Sequence, residues 1–139
     1  MTSSQRVLLD TGPLVALYNA NDPDHLGAVQ WLREFDGQLL TIEPVLTEAA
    51  FFMPPSARAA LARLAAQGWI ELHHPDPLGL QRMAALMDKY ADQDPDWADV
   101  GLVWLAEETG VKQIVTVDQN DFSVYRIHGR TRFEILAWR

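Results

Sequence analysis

VLLDTGPLVALYNA, residues 7–20, decides how the rest of the chain is read. Val7 to Leu9 is a short apolar run that stops at Asp10-Thr11-Gly12-Pro13, and a second apolar run follows. Proline suits a first helical turn, where its missing N–H costs nothing, and Asp10 or Thr11 can cap that turn. The stretch reads strand, turn, helix. The same grammar continues outward. Leu26, Val29, Leu32 and Phe35 recur at helical spacing, Gly37 ends that helix, and QLLTI (38–42) is a second strand. Pro44 opens a helix that Pro54-Pro55 must end. Ser56 is expected to cap the next, with Ala60, Leu61, Leu64 and Ala65 on one face. WIELHH (69–74) alternates as a third strand; Leu80, Met83, Ala84 and Met87 form a helical stripe. After Asp94-Pro95-Asp96 the pattern resumes through Leu102, Val103, Leu105 and Ala106, and Gly110 ends it. QIVTV (113–117) is a β-branched strand leading into a polar turn, and FEILAW (133–138) is the last strand.

Strands alternating with helices imply βαβ units, hence an α/β fold with a mostly parallel sheet sandwiched by helices. No repeat, low-complexity tract or linker divides the 139 residues, a length ordinary for one domain. The absence of cysteine excludes a disulfide scaffold, a thiolate metal site and a cysteine nucleophile. No apolar run reaches the ~18 residues of a membrane span, and MTSSQRVLLD does not read as a signal peptide, so a cytoplasmic protein is expected. A net charge of −8 argues against broad non-specific nucleic-acid binding. It leaves room for a nucleic-acid enzyme whose acids hold metal.

In parallel sheets the ligand site lies beyond the carboxyl ends of the strands. Asp10 and Asp118 both follow strands there. Two more acids share helix faces with apolar residues: Glu48 with Val45 and Phe52, Asp99 with Leu102 and Val103. A core-facing carboxylate is costly unless it is paired, hydrogen-bonded or bound to metal. Two like charges about 4 Å apart repel by about 4 kcal/mol at an effective dielectric of ~20, and a hard divalent cation removes that penalty. Magnesium takes oxygen ligands and favours phosphate substrates. Each acid also has a structural reading: Asp10 as a helix cap, Asp99 as the third residue of a capping box begun by Asp96, Asp118 and Asp121 as turn residues. Their joint placement carries the weight.

These residues carry a resemblance. The chain resembles the PIN-domain family, most closely toxins of the VapC type. LLDTGPLVALYNANDPDH is similar to the family's first motif, EPVLTEAAFF to its second, DWADVGLVWLAEETG to its third and IVTVDQNDF to its fourth. The resemblance covers residue 7 to about 136 and implies one PIN-like domain over 1–139 with the three-layer fold of that family. It implies a metal-dependent endoribonuclease, the toxin of a type II toxin–antitoxin pair. Asp10, Glu48, Asp99 and Asp118 map to the acidic quartet, with Asp10, Asp99 and Asp118 holding Mg2+ or Mn2+. Asp121 and Asp96 are reserves, and Thr11 and Thr116 would hydrogen-bond the metal site. An RNA substrate, a small antitoxin and a homodimer are implied as partners.

Other residues carry less. His25, His73, His74 and His128 have no metal-like spacing. Trp97 and Trp104, seven apart, would share a helix face in the core or at a dimer contact. Arg126, Arg130, Arg132 and Arg139 cluster against an acidic background and could meet RNA phosphates. Asp-Thr-Gly at 10–12 also matches aspartic proteases, but those are nearly all β. A phosphoaspartyl-transfer domain would want a second Asp at position 12 or a Lys after a later strand, and neither is present. The remaining rival is a catalytically inactive, partner-binding PIN-like module.

Overall fold

A computed structural model describes residues 5–136. In chain order the elements are β1 (Arg6–Leu9), α1 (Thr11–Tyr18), α2 (His25–Glu34), β2 (Gln38–Ile42), α3 (Glu43–Phe51), α4 (Pro55–Ala66), β3 (Ile70–His73), α5 (Pro77–Lys89), α6 (Trp97–Thr109), β4 (Gln113–Val115), α7 (Gln119–Val124), β5 (Arg126–Ile127), β6 (Thr131–Arg132) and β7 (Glu134–Leu136). Five parallel strands form one sheet in the order β3-β2-β1-β4-β7. The chain starts in the middle, moves out to β3, then crosses back to the other side of β1. The reversal of strand order between β1 and β4 is the arrangement that leaves helices on both faces of a parallel sheet. That reversal opens a crevice at the carboxyl ends of β1 and β4, where Asp10 and the Thr116-Val117-Asp118 segment emerge.

Val7, Leu8 and Leu9 are fully buried, as a central parallel strand covered on both faces requires. α6 is buried along most of its length, from Ala98 to Ala106. Its ends are fixed by local chemistry. Asp96 accepts from the Asp99 N–H at 2.7 Å at the start, and Gly110 adopts φ 76° to cap the end. Asp99 is thereby held on the first turn of a helix anchored in the core. Gly12 allows close approach at the same end of the sheet: a β-carbon there would run into the Val117 side chain.

Several expectations need correction. Leu26 is 80% exposed, while Leu32 and, just past the end of α2, Phe35 pack on the core as expected; Ala28 and Trp31 supply the rest of the inward face. In α5 the inward face is Gly79, Met83 and Leu86, while Leu80 and Ala84 are exposed. Pro54, not Ser56, occupies the cap of α4, with Pro55 as its first residue. Trp97 and Trp104 part company, 55% and 6% exposed, because Trp97 opens the exposed first turn of α6 and Trp104 lies in its buried middle. The polar stretch after β4 is not a simple turn: Asp118 caps α7, which sequence reading missed, as it missed the antiparallel β5–β6 hairpin. The last strand is Glu134–Leu136, with Phe133 buried just ahead of it; Ala137, Trp138 and Arg139 lie outside the described residues.

Candidate active site

The crevice at the β1/β4 switch is a cavity of about 320 Å3. Seven carboxylates line it, Asp10, Asp22, Asp24, Glu48, Asp96, Asp99 and Asp118, and among the described residues no lysine, arginine or histidine does. β1 delivers Asp10, α3 Glu48, the start of α6 Asp96 and Asp99, and the end of β4 Asp118. A second cavity of about 560 Å3 adjoins it, sharing Glu48, Asp96 and Ala98 and bordered by Trp97.

Asp10 is the deepest of these groups, 7% exposed. Thr116 Oγ1 donates to its Oδ2 at 2.6 Å, and the same hydroxyl accepts from the Asp118 N–H at 2.9 Å. One threonine thus ties the first and fourth acids together. Burial pushes the Asp10 carboxyl above its ordinary value against the pull of the Thr116 and Thr11 hydrogen bonds, and the charges of Asp96 and Asp118 add to the rise. Asp99 is pushed up to about 8, first by burial, then by Asp96, Asp10 and Asp121; the hydroxyl of Tyr125, 3.2 Å from its Oδ2, pulls the other way. Glu48 is raised by burial and by Asp96 and Asp10. Asp121 rises to about 6, chiefly through its hydrogen bond with Asp118. Asp121 does not line the cavity, whereas Asp118 does.

Four separate elements therefore crowd Asp10, Glu48, Asp96, Asp99 and Asp118 together, and among the described residues none of them brings a basic side chain to the cavity lining. Such a donor set is hard, oxygen-only and negatively charged, which suits a divalent cation of the magnesium type. Thr11 Oγ1 adds to the fit: it borders the cavity, is buried and has no hydrogen-bond partner among the described residues. Among those residues, however, no three acidic or imidazole groups stand close enough together, as placed, to hold a metal ion.

The structure thus gathers Asp10, Thr11, Glu48, Asp96, Asp99 and Asp118 at one cavity, with Thr116 behind them. It does not bring the arginines there. Arg126 and Arg132 pair across the β5–β6 hairpin, and the Arg126 guanidinium is spent on the carbonyls of Ser123, Val124 and Tyr125. No histidine joins the cavity; His25 contacts the Ala16 carbonyl and His73 the Glu71 carboxylate. Without a cavity lysine, the phosphoaspartyl alternative gains no support. Sequence reading missed Asp22, Asp24 and Tyr125. The dense run Asn-Asp-Pro-Asp at 21–24 was a usable signal for the first two. Nothing in the spacing marked Tyr125.

Comparison with known proteins decides the family. Ribonuclease VapC26 of Mycobacterium tuberculosis is 30% identical over 135 residues, covering 94% of this chain and 99% of that protein. The chain belongs to the VapC family of PIN-domain toxin ribonucleases. No protein-family model matches it. The crystal structure of VapC20 of Mycobacterium tuberculosis, a sarcin–ricin loop cleaving toxin, superposes with a TM-score of 0.75 at 17% identity. That match covers 82% of this chain and 91% of VapC20 and shows the shared fold. Among the described residues no helix of this VapC-family chain is long and apolar enough to cross a membrane.

Proposed function

We propose that this VapC-family chain is a Mg2+- or Mn2+-dependent endoribonuclease, acting in the cytoplasm as the toxin of a type II pair. The observation that carries the reading is that Asp10, Glu48, Asp96, Asp99 and Asp118, from four separate elements, line one cavity. Asp10, Asp99 and Asp118 would hold the cation. When bound, it supplies Lewis acidity toward water and phosphate oxygens and offsets the crowded negative charge. The Asp10 carboxylate is held by the Thr116 hydroxyl, and the Asp118 backbone N–H donates to the same hydroxyl, which sets the two residues side by side. Glu48, whose carboxyl is held above its ordinary value by burial and by Asp96 and Asp10, is suited to accept the proton of a water attacking phosphorus in line. The bond from phosphorus to the leaving ribose oxygen breaks as that attack completes. The adjoining cavity along Trp97 gives a single-stranded substrate room to continue past the acids. The family likeness supports an RNA substrate, a small antitoxin and a homodimer.

The test is cleavage of total RNA by purified protein with Mg2+ or Mn2+, with EDTA, and by Asp99→Ala. The expected result is cleavage that EDTA and Asp99→Ala each stop. Cleavage that survives both overturns the reading; folded, metal-supplemented wild type without any cleavage favours the inactive partner-binding module.

A further inference from the structure

We infer that Tyr125 is a positioning residue for the metal site, holding Asp99 from behind the cavity wall; the inference rests on the metal reading given above. Tyr125 is 1% exposed and does not line the cavity, yet its hydroxyl donates to Asp99 Oδ2 at 3.2 Å. Asp99 itself lines the cavity. Asp10 is held the same way, by the Thr116 hydroxyl on its Oδ2. Each of these two carboxylates is gripped at one oxygen by a neutral buried donor. A neutral donor orients a carboxylate without neutralising it, which a lysine or arginine in the same place would do.

The Tyr125 ring is itself immobilised. It meets Tyr90 edge-on with centroids 5.1 Å apart, and Phe122 likewise at 5.4 Å. Phe122 in turn packs edge-on against Phe133. Tyr90 accepts from the Arg126 N–H at 2.9 Å, which pins the segment that follows Tyr125. Tyr125 also closes α7, the helix whose other end is capped by Asp118. One short helix therefore presents a cavity acid at its start and the support of another at its end. Partners of metal-ligating groups commonly change metal affinity by 10- to 100-fold when removed.

The experiment is Mn2+ binding to the full chain, followed by electron paramagnetic resonance of the free ion, for wild type, Tyr125→Phe and Tyr18→Phe. Phenylalanine keeps the ring contacts and deletes only the hydroxyl. Tyr125→Phe is expected to weaken Mn2+ binding by about 10-fold or more while its metal-free circular dichroism stays that of wild type. Cleavage at saturating Mn2+ should recover toward the wild-type rate. Tyr18→Phe, at the last residue of α1 and outside both the cavity lining and the Tyr125 ring cluster, should bind Mn2+ as wild type does. Equal affinity in wild type and Tyr125→Phe overturns the inference alone. An unfolded metal-free Tyr125→Phe also overturns it, because the hydroxyl is then a folding contact. Wild type that binds no Mn2+ overturns the metal reading and this inference together.

Discussion

Asp99 and Glu107 sit on the same helix, α6, two turns and on the order of 12 Å apart. Both are withdrawn from solvent, and their surroundings are opposite. Glu107 meets Arg82 through two hydrogen bonds, 2.7 and 2.9 Å, and accepts from the His128 N–H at 2.7 Å. Burial alone would push its carboxyl up, but these donors and the Arg82 charge outweigh burial and hold it below the ordinary value. Asp99 has three more acids acting on it and one neutral hydroxyl, and it is pushed up to about 8. A carboxylate withdrawn with its cation fastens the hairpin to the helix. A carboxylate withdrawn without one is unfinished until something positive arrives.

The largest contrast lies in RNA cleavage. Asp99→Ala and Asp10→Ala should each lower the rate by more than about 100-fold, and the double variant should lose little more, because the acids act as one unit. Glu107→Gln should cleave at close to the wild-type rate per folded molecule. A gel-based cleavage assay normalised to folded protein separates the two.

Stability should invert the order. Glu107→Gln leaves the Arg82 guanidinium short of its partner. Arg82 is 39% exposed, so the cost falls between the surface and fully buried limits, about 2 kcal/mol in urea denaturation. Asp99→Asn should leave the metal-free protein at pH 8 no less stable than wild type. A large loss there would mean that Asp99 serves folding.

pH sharpens the same contrast. The folded pKa of Asp99 is raised, so the folded state binds more protons than the unfolded chain between about 4 and about 8. The stability it contributes is fully present below the unfolded value and is lost as pH rises through 8. Melting temperatures of the metal-free protein should therefore climb as pH falls from 8 toward 5. Asp99→Asn should flatten that climb, whereas Glu107→Gln should keep it. The smallest difference is between Asp118 and Asp121. Asp118→Ala removes the α7 cap, about 1 kcal/mol, and a cavity acid as well; Asp121→Ala should reduce cleavage less.

The sheet was legible in the sequence because its strands are dense apolar runs bounded by Gly, Pro and Asp, as in VLLDTGP and QIVTV. The acids at strand ends and on apolar helix faces were legible because a carboxylate at an apolar position has few cheap explanations. What was not legible depends on contacts distant in sequence. The α2 stripe was misassigned at Leu26 because helical spacing admits two neighbouring faces, and packing against α1 chose the one through Ala28. α7 and the hairpin are too short to show a period. Tyr125 reaches Asp99 across 26 residues, and only the fold brings them together.

Thermal unfolding at pH 8 with increasing Mn2+ tests the central claim most directly, comparing wild type, Asp99→Asn and Glu107→Gln. At 100 times its dissociation constant the ion should stabilise wild type by ~2.7 kcal/mol. The same increment should appear in Glu107→Gln from a lower starting temperature and be mostly absent in Asp99→Asn. A wild-type melting curve that millimolar Mn2+ leaves unmoved, or an equal rise in Asp99→Asn, would contradict the claim that the acids at the β1/β4 crevice form one metal-holding nuclease site.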